Sequence, residues 1–197
     1  MGGECLDTRE TILQNALELF YTKGYDSVGV QEIADVAGIT KPTLYYYFGS
    51  KIGLLKEVLK RYGTEMIDLL KDASYYDKDL PMTLYKTAAA FTEFAIKHRK
   101  FYFLMLALSY YAKENEAHKE MEPYMSDLYQ MILSIFENAA NELGNMNGRQ
   151  QKFAMGFIGT INYYILFLSE TSQGEEIIVT NDQIFTLVHQ FMHGIYS

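Results

Sequence analysis

The stretch "GITKPTLYYYFGSK" occupies Gly38–Lys51 and decides the fold. Gly38 supplies the left-handed backbone that a tight turn between two helices needs. Thr40 is an N-cap residue type, and Pro42 belongs in a first helical turn, where a missing N–H costs nothing. The spacing therefore predicts a short helix over Lys41–Phe48, entered from a three-residue turn, Gly38-Ile39-Thr40. If Leu44 and Phe48 face the core, then Lys41, Pro42, Thr43, Tyr46 and Tyr47 must face outward. Three consecutive tyrosines are poor helix formers, and a buried core has little use for three phenolic hydroxyls. Exposed beside a lysine, they call for a partner outside the chain.

Working outward, "VQEIADVAG" predicts a second short helix that ends on Gly38. "TRETILQNALELFYTKG" predicts a first helix, capped by Asp7 or Thr8 and stopped by Gly24. Ile33, Ala34, Ala37, Ile39, Leu44 and Phe48 are spaced to pack against Leu13, Leu17 and Phe20. Three short helices with a tight turn before the third form a helix-turn-helix, whose second element enters the major groove N-terminus first. Tyrosine offers phosphate oxygens a phenolic donor and thymine methyls a ring, while lysine reads guanine O6 and N7. Lys51 opens the next helix, within reach of a backbone phosphate.

Beyond residue 50, helical periodicity continues without strand-like alternation or repeats. A long helix is expected from about Ser50 through "KIGLLKEVLKRYGTEMIDLLKDA", and "YYDKDLP" breaks the pattern. Further helices are expected at about 82–98, 100–112, 122–143, 149–171 and 182–195, with "KENEAHKEME" (Lys113–Glu122) as a solvated, mixed-charge connection. The result is an all-α chain of nine helices. Residues 1–50 form the helix-turn-helix domain, and residues 51–197 form a second domain entered through the helix 51–73.

Composition is consistent with this division. The 197 residues are 49% hydrophobic and 21% charged, enough to bury a sizeable core. The net charge of −8 would argue against nucleic acid if it were evenly spread. It is not. Residues 1–62 hold seven Lys/Arg and eight Asp/Glu, whereas residues 63–197 hold ten and seventeen. The head is thus near neutral and the remainder strongly acidic. The one cysteine, Cys5, excludes an intramolecular disulfide and suits a reducing, cytoplasmic setting. The opening "MGGECLDTRE" lacks the order of a secretory signal. The longest apolar stretches, Phe101–Ala112 and Phe153–Leu168, fall short of the roughly 20 residues of a membrane span.

The stretch "GYDSVGVQEIADVAGITKPTLYYYFGSKIGLL", Gly24–Leu55, resembles the TetR/AcrR family of transcriptional regulators almost position for position. The resemblance implies that Gln31, Lys41, Pro42, Thr43 and Tyr46 read bases, and that Tyr45, Tyr47 and Lys51 grip phosphate. Two departures from the family pattern stand out. Gly29 replaces the usual Ser or Thr cap of the second helix, and Ile52-Gly53 replaces an acidic and polar pair. The resemblance further implies a homodimer through helices 150–171 and 182–195, a palindromic operator with half-sites about 34–36 Å apart, and a repressor as the usual mode.

The penultimate helix fits that arrangement. It is apolar nearly all round, with Phe153, Phe157, Ile161, Tyr164 and Leu168 on one side and Met155, Ile158, Ile165 and Leu166 on the other. Gly156 and Gly159 allow close approach of a twin helix. The last helix carries an apolar stripe, Ile184, Leu187, Val188, Phe191, Met192 and Ile195. The middle helices, 82–143, are expected to enclose a pocket for a small, largely apolar or aromatic effector. Its candidate lining comprises Phe101, Phe103, Met105 and Tyr110, then Tyr124, Met125, Tyr129 and Phe136, then Asn162 and Tyr163. Occupancy of the pocket would tilt the fourth helix and change the spacing of the heads. Effector and DNA would then oppose each other by equal factors.

Rival chemistries find less support. His189 and His193 lie four apart on one helical face, a chelating spacing, but two histidines make at most half a metal site. No histidine has Glu three residues before it, as a di-iron bundle needs, and neither a phosphate-binding glycine loop nor a GxSxG elbow is present. No enzymatic activity and no cofactor are expected. The alternative is a helix-turn-helix regulator whose C-terminal domain binds a protein partner or a metal.

Overall fold

The computed structural model describes residues 8–141, 143, 148–172 and 177–194, so Cys5 and Ile195 lie outside the described residues. Among the described residues there are nine α-helices and no strand. They are α1 (Thr8–Lys23), α2 (Val30–Val36), α3 (Lys41–Phe48), α4 (Lys51–Ala73), α5 (Leu80–Lys97), α6 (Arg99–Ser109), α7 (Glu116–Asn138), α8 (Gln150–Thr171) and α9 (Asn181–His193). The chain divides into two compact units. One comprises Met1–Thr64 with His98–Pro123, and the other Glu65–Lys97 with Tyr124–Ser197.

In the first unit, α1 presents Ile12, Leu13, Ala16, Leu17 and Phe20 to the core, where they meet Ile33, Ala34, Leu44 and Phe48. Ala37 and Ile39, expected to face inward with these, are half-buried. Phe101, Tyr102, Met105 and Leu108 of α6 are buried in the same unit, with α6 packed along α1. Ion pairs between Arg9 and Glu57, Arg61 and Glu10, and Lys100 and Glu18 rim this core. All are partly exposed, a setting in which such pairs contribute about 0–1 kcal/mol.

Ser50 caps α4, its hydroxyl accepting from the Gly53 amide at 2.9 Å. The departure at Gly53 has a steric cause: a Cβ there would stand 2.0 Å from the Phe48 carbonyl oxygen. The reversal from α3 into α4 is so tight that only glycine fits.

In the second unit, α5 packs against both α8 and α9. Phe136, Phe153, Phe157 and Phe191 form an aromatic cluster with centroid separations of 5.2–6.5 Å. Thr180 caps α9 in a capping box with Gln183. The buried seam of α8 is Ala154, Phe157, Ile161 and Ile165, so Ile165 belongs with Phe157 and Ile161 instead of on the opposite side. A Cβ at Gly156 would stand 3.5 Å from the chain's own Phe191 ring, whereas Gly159 has open space above it.

The connection expected at Lys113–Glu122 is mostly helix. Asn115 accepts the Ala117 amide at 2.8 Å, and α7 then runs from Glu116 straight through Pro123. Ala117 and Met121, four apart and fully buried, hold that first stretch down despite its charges.

Candidate nucleic-acid interface

Local chemistry builds α3 as its sequence suggests. Thr40 adopts extended backbone, φ −94° and ψ 156°, its hydroxyl shares a 2.9 Å hydrogen bond with that of Thr43, and Pro42 sits in the first turn. Gly38 and Gly49 bracket the helix with φ of 67° and 71°. The Ile39 amide donates to the Ala34 carbonyl at 2.9 Å, fixing the turn between α2 and α3.

Leu44 is fully buried and Phe48 nearly so, which turns the opposite face to solvent. Tyr46 is 84% exposed, Tyr45 47% and Tyr47 36%. Tyr46 and Tyr47 meet edge to face at 5.2 Å, so each restricts the other's rotamers. Lys41 and Pro42 are exposed at the N-terminus of α3, and Thr43 is half-buried. Gln31 is exposed on α2, where its amide donates to Asp35. The Gly29 cap of α2 makes no side-chain bond.

Lys51 is placed differently from its neighbours. Its ammonium lies 4.1 Å from the centre of the Tyr25 ring and donates to the carbonyls of Tyr25 (2.9 Å) and Val28 (3.0 Å). Two of its three N–H groups thus tether the loop between α1 and α2, and only the third remains for phosphate. Tyr25, absent from the sequence-based candidates, is 1% exposed and donates its hydroxyl to Glu116 Oε1 at 2.7 Å. Burial, then the Glu116 bond, pushes its phenol well above the usual tyrosine value. Nothing local marks this contact, which joins residues 91 apart.

The candidate effector residues are divided between the two units. Phe101 and Met105 are core residues of the first unit, Phe103 stands beside Tyr21, Tyr102 and the Arg99 guanidinium, and Tyr110 is 88% exposed. In the second unit Tyr124, Met125, Tyr129 and Asn162 are half-buried, Phe136 is in the aromatic cluster and Tyr163 is 71% exposed. A hollow of about 560 Å³ in that unit is lined by Asp79 and by other residues of α5 and α9. His189 and His193 lie on its edge with ring centres 4.3 Å apart. Among the described residues no three His, Cys, Asp or Glu side chains gather as metal ligands, and no helix is long and apolar enough to cross a membrane.

Residues 12–58 match the sequence profile of the tetR family of bacterial regulatory proteins, a stretch that takes in most of α1, all of α2 and α3 and the start of α4. Residues 12–58 are a tetR-family domain. The HTH-type transcriptional repressor BdcR of Escherichia coli is 48% identical over 67 residues, 32% of this chain and 34% of that protein. The HTH-type transcriptional activator FasR of Mycolicibacterium smegmatis is 36% identical over 92 residues, 47% of this chain and 42% of that one. The matched stretches thus span 34% and 42% of these two relatives. The fold likeness extends further. The crystal structure of FadR from Bacillus subtilis in complex with stearoyl-CoA superposes with a TM-score of 0.74 over 94% of this chain and 98% of that one, at 16% identity. At that identity the likeness is one of fold.

Proposed function

We propose that this protein is a ligand-responsive transcriptional repressor, working in the cytoplasm, that binds a palindromic operator as a homodimer and has no enzymatic role. The observation that carries the reading is Tyr46, 84% exposed between buried Leu44 and Phe48 on a capped helix of a TetR-family head. A large aromatic held in water by its neighbours' burial is suited to a partner that is itself wet, charged and flat-faced, as duplex DNA is. Lys41, Pro42, Thr43, Tyr46 and Gln31 contact bases in this reading, and Tyr45 and Tyr47 contact phosphate. Lys51 acts there mainly by holding the loop before α2 in place. Residues 1–50 are the reading domain and residues 51–197 the effector and dimerisation domain, with α4 as connector.

The dimer forms through α8 and α9. Met155, Tyr163 and Phe167 are 53–71% exposed at four- and eight-residue intervals along α8, and with Gly159 they make an apolar stripe suited to a second copy of the same helix. A small, largely apolar effector then releases the operator. Selection of duplexes from a random library tests the reading. It should enrich an inverted repeat with half-sites one helical turn apart, or a multiple of it. Failure to enrich any sequence, or enrichment of a single unrepeated site, would overturn it.

A further inference from the structure

The hollow of about 560 Å³ lies along α5 and α9 and has a distinct electrostatic character. The two helices run antiparallel: Val179 and Ile184 lie beside Ala89 and Ile96, whereas Phe191 and Met192 lie beside Leu80 and Leu84. Asp79, which caps α5 by accepting the Met82 amide at 2.9 Å, thus stands at the end where α9 finishes. Asp182 stands at the other end, where α9 starts. From Asp182 to His193 the trough runs roughly 16 Å at about 1.5 Å per residue. Its floor between the carboxylates is mostly apolar, formed by Met82, Tyr85, Phe185, Val188 and Met192, with His189 and His193 along the α9 side.

Volume and lining fall within the range of small-molecule sites, about 300–1,000 Å³ with few polar groups. No lysine or arginine lines the trough. The unit containing it carries thirteen acidic and six basic residues, a net of −7. An acyl anion would meet carboxylates at both ends in a negative field. A cation is attracted by those same charges and by the aromatic faces of Tyr85 and Phe185. We infer that the α5–α9 trough binds an elongated lipophilic organic cation, a long-chain or aromatic amine or quaternary ammonium, with its apolar body on Met82 and Phe185 and its charge by Asp79 or Asp182.

This deepens the reading of the C-terminal region as an effector domain, yet its test needs no DNA and so fails or succeeds separately. Isothermal titration of the full chain with dodecyltrimethylammonium below its micellar concentration is compared with dodecanoate, the same chain length ending in an anion. The cation should bind at least about tenfold more tightly than the anion, and added salt should weaken it. Asp79→Asn with Asp182→Asn should cost about tenfold or more in cation affinity while leaving the melting temperature nearly in place, because Asn caps α5 as well as Asp79 does and α9 keeps its Thr180 cap. Phe185→Ala, which changes no charge, should weaken both ligands. Equal or tighter binding of dodecanoate, an unaltered cation affinity in the double variant, or no binding of the cation would overturn the inference. So would dissociation of a dimer by Phe185→Ala with no change in cation binding, which would make the trough a face between copies.

Discussion

Helices α3 and α8 both expose large side chains, and the difference lies in which atoms they expose. On α3 the exposed groups are three tyrosines, each an apolar ring with a hydroxyl at its tip, flanked by Lys41 and Thr43. On α8 they are Met155, Tyr163 and Phe167 in one row, with glycine between and no charge within the row. A polar-tipped aromatic can stay wet in the free protein and exchange water for a phosphate or a base edge. A thioether and a phenyl ring gain only by leaving water, about 25 cal/mol per Å². The first face suits a hydrated polyanion and the second another protein surface, and each can be disrupted separately.

The largest effect is expected on α8. Phe167→Asp with Tyr163→Asp places unpaired charge in the proposed seam between copies and should weaken dimerisation by on the order of 100-fold or more. Analytical ultracentrifugation reads the shift, and α3 should keep its fold. An unchanged sedimentation coefficient would show that the α8 row is not the seam. Next is Gly53→Ala. With a Cβ 2.0 Å from the Phe48 carbonyl, the junction below the reading helix must open, at about 2–3 kcal/mol in a denaturant titration. Loss of only a few tenths would show that the turn has slack.

Tyr25→Phe removes one hydroxyl and leaves Glu116 without it, an expected loss of about 1 kcal/mol. The sign with pH follows from the raised phenols. Burial lifts Tyr102 above the ordinary tyrosine value, and burial with the Glu116 bond lifts Tyr25, so both favour the protonated native state. Their contribution is intact below about pH 10, where the unfolded phenol still holds its proton, and is lost as pH climbs beyond it. Unfolding free energy followed from pH 9 to 11 should therefore fall in the parent, and less steeply in Tyr25→Phe. Equal slopes would remove Tyr25 from the account. The smallest change is Gly29→Ser, which restores a side-chain cap to α2 and should add a few tenths of a kcal/mol without touching either face. A loss of stability would mean that the loop before α2 depends on glycine there.

The two regions also differ in how far they could be read from sequence. In α3 the determinants are adjacent: Thr40, Pro42, Gly38 and Gly49 specify the helix ends, and Leu44 with Phe48 fixes which side is inward. Its helix bounds and its exposed tyrosines are therefore legible in fourteen letters. The same local logic found the Ser50 cap and the apolar girth of α8. It could not choose sides on α8, where apolar residues surround the helix and only the partner helices separate Ile165 from Met155.

Distance in sequence defeated the rest. The Tyr25–Glu116 bond joins residues 91 apart, and Glu116 lies in a charged run that resembles a solvated connection until Ala117 and Met121 are seen to be buried. The nominated effector residues share a further limit. An aromatic at helical spacing has the same sequence signature whether it fills a core, as Phe101 does, or faces water, as Tyr110 does. The α5–α9 trough, in contrast, depends on an antiparallel pairing of helices that begin about 100 residues apart.

The central claim concerns the outward face of α3, and one measurement addresses it most directly. Fluorescence anisotropy compares the parent, Tyr46→Ala and Lys41→Ala on the selected inverted repeat and on a scrambled duplex, across a salt series. Each variant should lose about 1–3 kcal/mol on the selected duplex with an unchanged melting temperature, and Lys41→Ala should relax choice at one base. The near-neutral head should give a shallow salt slope of about −4 to −6 per dimer. Variants that bind the repeat as tightly as the parent does would contradict the account.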